Sequence, residues 1–135
     1  MAILLSPRLE ITTKIGCSIN CTYCPQGLLV KRYAELDPHG DRELSLDNFK
    51  KCLDKLPEST RIDFSGMSEP WLNSNCADMV LYAHSKGFRM TMYTTLVGMT
   101  KEDFERVSHI SFELFVLHIP DKGENTKINI DDAAI

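Results

Sequence analysis

The feature that most limits how this chain can fold is a change of hydrophobic period, from two to 3.6 and back, repeated along 135 residues. Arg8 to Ile15 alternates apolar and polar, with Leu9, Ile11 and Ile15 on one side, and reads as a half-buried strand. Residues 33–44 are polar and carry the turn signals Asp37-Pro38 and His39-Gly40. Ser45 then reads as an N-cap for a helix over Leu46–Leu56, where Phe49, Cys52, Leu53 and Leu56 share a face and Pro57 ends the run. Thr60–Ser65 is a second strand, followed by a helix with Leu72, Cys76, Met79, Val80 and Ala83 on one face and Lys86-Gly87 at its close. Phe88–Thr94 reads as a third strand, Thr100 caps a helix through Val107, and Ile110–Leu117 is a fourth strand. Asp121–Ile135 is polar and contains no recognisable element. Strands alternating with helices at this spacing predict an α/β fold: a parallel sheet of about four βα units with helices packed outside it.

Composition narrows the function classes. The chain is 43% hydrophobic and 25% charged, which excludes a disordered tail or a collagen-like repeat. A formal charge of −4 provides no electrostatic footprint for nucleic acid or anionic lipid. No run approaches the roughly 18 apolar residues of a spanning helix, and the start lacks a signal-peptide pattern, so a cytoplasmic protein is expected. Five cysteines are an odd number, which disfavours a closed disulfide framework.

Three of those cysteines fall within eight residues. Cys17-Ser-Ile-Asn-Cys21-Thr-Tyr-Cys24 has the spacing C-x₃-C-x₂-C and lies just after the first strand. Thiolates crowded together in a reducing compartment need a positive partner. Structural zinc normally takes four protein ligands; His39 offers a fourth on paper, although a lone His beside a Gly in a polar loop is more often solvated. A [4Fe–4S] cluster takes one thiolate per iron, so three thiolates leave one iron open to an outside ligand. Cys52 and Cys76 sit on the apolar stripes of helices and read as small buried hydrophobes. His84, His109 and the Lys50-Lys51 pair read as solvated.

This motif, with Tyr23 before its last cysteine, resembles that of the radical S-adenosylmethionine (SAM) superfamily. Further segments carry the resemblance. Gly66-Met67-Ser68-Glu69-Pro70, after the second strand, is similar to the family's Gly-Gly-Glu-Pro segment, with Ser68 where the family often has Gly. Thr94 and Thr95 end the third strand where the family has a Thr-Asn-Gly type of segment, and Gly98 comes later than usual. His118 and Asp121 follow the fourth strand, where family members place a polar or acidic residue.

The resemblance implies a [4Fe–4S] cluster on Cys17, Cys21 and Cys24, and S-adenosylmethionine bound by Tyr23, Gly66, Met67, Ser68, Glu69, Pro70, Thr94, Thr95 and His118. It assigns backbone carbonyls of the Gly66–Pro70 segment together with the Glu69 carboxylate to the ammonium of the methionine moiety, and Thr94 and Thr95 to the ribose and carboxylate of S-adenosylmethionine. The implied reaction is reductive cleavage of S-adenosylmethionine to a 5′-deoxyadenosyl radical, which takes hydrogen from an unidentified substrate. Electrons would come from a donor such as flavodoxin or ferredoxin. The alternatives are a non-catalytic cluster-binding or SAM-binding fragment that needs a partner chain, and a zinc module. The family core is a partial TIM-like barrel of six βα units, about 180 residues at ~30 per unit. Residues 1–135 are therefore expected to form a single but incomplete core domain, with self-association through the open sheet edge.

Overall fold

The computed structural model describes residues 6–119. Four strands, β1 (Arg8–Ile11), β2 (Arg61–Phe64), β3 (Arg89–Thr94) and β4 (Leu114–Leu117), form one sheet in the order β1-β2-β3-β4. Every pairing is parallel, with Ile11 beside Phe64, Phe64 beside Met92 and Thr94 beside Leu117. Helices α1 (Gln26–Leu36), α2 (Leu46–Leu53), α3 (Cys76–Ser85) and α4 (Lys101–Val107) lie in the connections. This is the α/β architecture that the alternating periods predict.

Side chains alternate across a strand, and here the alternation separates two chemistries. Ile11, Ile62, Phe64, Met90 and Met92 are buried on one face, packed with Phe49 and Leu53 of α2, Met79, Val80 and Ala83 of α3, and Val107 of α4. The other face carries Arg8, Glu10, Arg61, Asp63, Thr91 and Tyr93. Buried Asp63 is its hub: Arg8 Nε and Arg61 Nε each donate to it at 2.8 Å, and the Thr91 hydroxyl donates at 2.7 Å. Burial alone would raise the Asp63 carboxyl; the bonds from Thr91, Arg61 and Arg8 outweigh it and hold the group below the ordinary carboxylate range.

The helix caps follow local chemistry. Ser45 Oγ accepts from the Asn48 N–H at the start of α2, and Thr100 with Asp103 forms a complete capping box on α4. Several boundaries differ from the sequence reading. The strand expected over Arg8–Ile15 stops at Ile11, because the chain then pairs with another segment: the Ile15 N–H donates to Arg42 and the Leu44 N–H to Thr13. α1 is an element the periodicity did not announce. Its only buried residue is Gln26, and Leu28 and Leu36 face solvent, so it carries no apolar stripe to detect. The helix expected through Leu72 is split, with a 3₁₀ turn at Pro70–Leu72 preceding α3. The fourth strand begins at Leu114 rather than Ile110. Cys76 is buried as expected, whereas Cys52 is exposed at the rim of α2. Its helical phase was right for the stripe, but α3 covers only the Phe49 and Leu53 side.

Among the described residues, no helix is long and apolar enough to cross a membrane.

Candidate functional site

A cavity of about 400 Å³ opens at the carboxyl ends of the strands and runs down onto the charged face of the sheet. Its size is that of a small-molecule site. The exits of four strands supply its wall, which is where parallel α/β sheets place their ligands.

The first exit is the cysteine loop. Gly16, at φ 108°, and Asn20, at φ 51°, bend the chain through left-handed backbone, and buried Ile19 anchors it. Cys17, Cys21 and Cys24 are half-buried, and all three line the cavity together with Tyr23. A turn closes between them, with the Cys24 N–H donating to the Cys21 carbonyl at 3.1 Å. Gln26, buried immediately after the loop, donates its side-chain amide to the Met67 carbonyl and so ties the cysteine loop to the second exit.

That second exit, after β2, contributes Ser65, Gly66, Met67, Ser68 and Glu69 to the wall. Gly66 has φ 84°, and a Cβ there would lie 2.2 Å from Thr12 Oγ1, so glycine is required on both counts. The Met67 N–H donates to Thr12 Oγ1 at 3.2 Å and Ser68 Oγ to the Gly16 carbonyl at 3.1 Å. Pro70 departs from expectation. It is buried in the 3₁₀ turn, outside the cavity lining, where its carbonyl accepts from the Thr13 hydroxyl.

The third exit brings Thr94 and Thr95 to the wall, but their hydroxyls face Glu69. Thr94 Oγ1 donates to Glu69 Oε1 at 2.5 Å, and Thr95 Oγ1 and N–H both donate to Oε2 at 2.7 Å. The fourth exit supplies His118. Its N–H donates to the Thr94 carbonyl at 2.8 Å, and its ring stands edge-on to Tyr93 with centroids 6.5 Å apart. Asp121 lies outside the described residues.

No family model matches the chain. It is 31% identical over 109 residues to the tungsten-containing aldehyde ferredoxin oxidoreductase cofactor-modifying protein of Pyrococcus furiosus, covering 78% of this chain and 28% of that protein. Against the S-adenosylmethionine-dependent nucleotide dehydratase of Selenomonas ruminantium it is 35% identical over 90 residues, covering 64% and 28%. A probable dual-specificity RNA methyltransferase RlmN of Flavobacterium psychrophilum is 32% identical over 97 residues, covering 65% and 27%. Among solved structures, BtrN in complex with AdoMet and 2-DOIA superposes with a TM-score of 0.61 at 20% identity, over 99% of this chain and 55% of BtrN. The chain belongs to the radical SAM superfamily. It spans little more than a quarter of the length of these curated relatives and about half of BtrN.

The donors in this radical SAM fold suit the group that the superfamily implies. A single tetrahedral zinc needs four donors gathered on one point. Among the described residues no three His, Cys, Asp or Glu side chains are so gathered, and His39 is exposed and away from the cavity. A four-iron cluster instead spreads its thiolates over separate irons around a body, and three half-buried thiols around one open cavity match that demand.

Sequence reasoning missed Arg8 and Glu10 on the floor of the cavity, and Ser65 and Tyr93 on its walls. The signal was present, since these residues are out of phase with the apolar members of their strands. It also missed Asn73, whose buried amide donates to the Thr13 carbonyl at 2.8 Å and the Leu44 carbonyl at 2.9 Å. Nothing in the local pattern marks that residue.

Proposed function

We propose that this chain binds a [4Fe–4S] cluster through Cys17, Cys21 and Cys24 and S-adenosylmethionine beside it, and begins a radical reaction on a polar substrate. The observation that carries this reading is convergence: three thiols from the first strand exit share one cavity with the second, third and fourth exits. When bound, the cluster supplies the electron that splits the sulfonium bond of S-adenosylmethionine. The chain's own residues bind and orient. The Gly66–Glu69 segment is pinned to the cysteine loop by Thr12, Gln26 and the Gly16 carbonyl, so cofactor and cluster loops keep one register. Tyr23 stands at the exposed rim, and Tyr93 and His118 form an aromatic side wall. Below them Glu10 and the Arg8 guanidinium, already paired to Asp63, offer a polar floor that suits a hydrogen-bonding substrate better than an aliphatic one. The relatives' names span a tungsten cofactor, a nucleotide and RNA, so they do not converge on one substrate. A cytoplasmic setting and a flavodoxin-like or ferredoxin-like electron donor belong to the same proposal.

Anaerobic reconstitution with iron and sulfide, followed by dithionite and S-adenosylmethionine, tests the reading. The expected outcome is a brown protein that releases 5′-deoxyadenosine, with Cys17→Ala, Cys21→Ala or Cys24→Ala losing both the colour and the product. A colourless protein that retains zinc would reject it.

The second reading is a cluster-binding unit that needs more polypeptide to turn over. It is favoured by β4, which among the described residues is an edge strand whose Leu114, Phe115 and Leu117 are exposed. Under that reading the cluster forms without 5′-deoxyadenosine, and sedimentation velocity shows self-association of this edge; a monomer at every concentration argues against the latter.

A further inference from the structure

The cavity face of the sheet carries the guanidinium groups of Arg8, Arg61 and Arg89, and their pairing with the neighbouring carboxylates is uneven. Asp63 takes Arg8 through Nε at 2.8 Å and Nη2 at 2.7 Å, and Arg61 through Nε at 2.8 Å. Glu113 takes Arg61 Nη1 at 3.1 Å and Arg89 Nη1 at 3.0 Å. Asp63 and Glu113 therefore answer all three cations. Glu10 is left over: among the described residues it has no hydrogen bond and no ion pair.

Its place in the sheet makes that unpaired charge unfavourable. Glu10 is in register with Asp63, on the same face of neighbouring strands, and like charges so placed repel. Arg8, two residues earlier on the same side of β1, is near enough to serve either carboxylate, and it turns both Nε and Nη2 to Asp63. Glu10 lines the cavity. A cation arriving there relieves the repulsion without breaking any bond within the protein. An anion finds no such welcome, because the Arg8 charge beside it is already matched by Asp63.

Across the cavity Tyr93 stands two strands away, about 10 Å at the backbone. It too lines the cavity, and its hydroxyl has no bonding partner among the described residues. The two open groups thus face a space the width of one substituted six-membered ring. One of them calls for a cationic donor and the other for a neutral oxygen.

We propose that Glu10 sets the specificity of this cavity, and that its substrate is a small hydroxylated molecule carrying a protonated primary amine. The ammonium sits on Glu10 and an oxygen of the same molecule faces Tyr93. Calling that molecule a substrate rests on the function proposed above; the amine site itself stands on the bonding of the sheet.

Glucosamine, glucose and glucuronate, three probes of similar size and different charge, test the site. Their binding to the full chain is followed by NMR on metal-free protein, and again after cluster reconstitution with S-adenosylmethionine. Glucosamine is expected to bind about tenfold more tightly than glucose, the scale of a hydrogen bond to a charged group, and glucuronate more weakly than either. Glu10→Gln should bring glucosamine down to the level of glucose. The same change should leave the urea midpoint where it was, since no partner within the protein loses a bond. Equal binding of the three sugars, failure of all three to bind, or a preference that survives Glu10→Gln overturns the assignment. The two readings fail separately. A chain that prefers the amine but releases no 5′-deoxyadenosine when reconstituted would reject the radical function and keep the amine site. One that releases 5′-deoxyadenosine without preferring the amine would do the reverse.

Discussion

The two faces of the sheet are built from alternate residues of the same strands, and they obey opposite rules. On the helix side Ile62, Phe64, Met90 and Met92 are almost fully buried and contribute by excluding water. On the cavity side Arg8, Asp63 and Thr91 are held by directed bonds whose worth depends on every partner being present. Shape governs the first face and bonding governs the second. A strand such as Arg61-Ile-Asp-Phe64 must satisfy both at once, and shifting it by one residue would place Asp63 in the core and Phe64 in the cavity.

That contrast can be broken most forcefully from the apolar side. Phe64→Ala removes a fully buried ring that packs 6.0 Å, centroid to centroid, from Phe49. It should cost about 3–5 kcal/mol in urea unfolding, since the surrounding core closes the cavity only in part. A loss well below that range would mean that the helix layer is loosely packed. Asp63→Asn attacks the other face and should cost less, about 2–3 kcal/mol, because Arg8 and Arg61 retain access to solvent when left unpaired.

The Asp63 change also has a pH signature. Its folded-state pKa is depressed below the ordinary value of 3.8. The stability it contributes is therefore fully present above the unfolded pKa and is lost as pH falls through the lower folded value. Urea titrations from pH 6 down to pH 2 should show an acid limb that Asp63→Asn flattens. An unchanged limb would assign acid sensitivity to other carboxylates.

Much of this was legible from local pattern, and the failures are informative. The apolar segments located all four strands; β1, β2 and β3 each have a buried side, whereas β4 was found from its apolar run, although Leu114, Phe115 and Leu117 are exposed. Ser45 and Thr100 announced their helices because capping is decided within four residues. α1 escaped because it buries almost nothing, so no stripe was selected into it. Cys52 was misplaced because periodicity identifies a face but does not say how wide a neighbouring helix will cover it. At the site, cysteine spacing singled out three thiols that the fold places around one cavity. Thr94 and Thr95 reach the cavity wall with their hydroxyls bonded to Glu69, a pairing across 25 residues that local pattern does not announce.

By itself the sequence determined the alternating architecture and the cysteine loop on the first strand exit, since each depends on chemistry confined to a few neighbouring residues. Tertiary structure alone decided that Pro70 leaves the cavity, that Arg8 and Glu10 enter it, and that Glu69 is spent on two threonines. Those outcomes depend on parallel register, which sets Phe64 beside Met92 and so brings groups 25 residues apart within 2.5 Å. A hydrogen bond of that kind is settled by where strands lie side by side, and no local pattern contains that information.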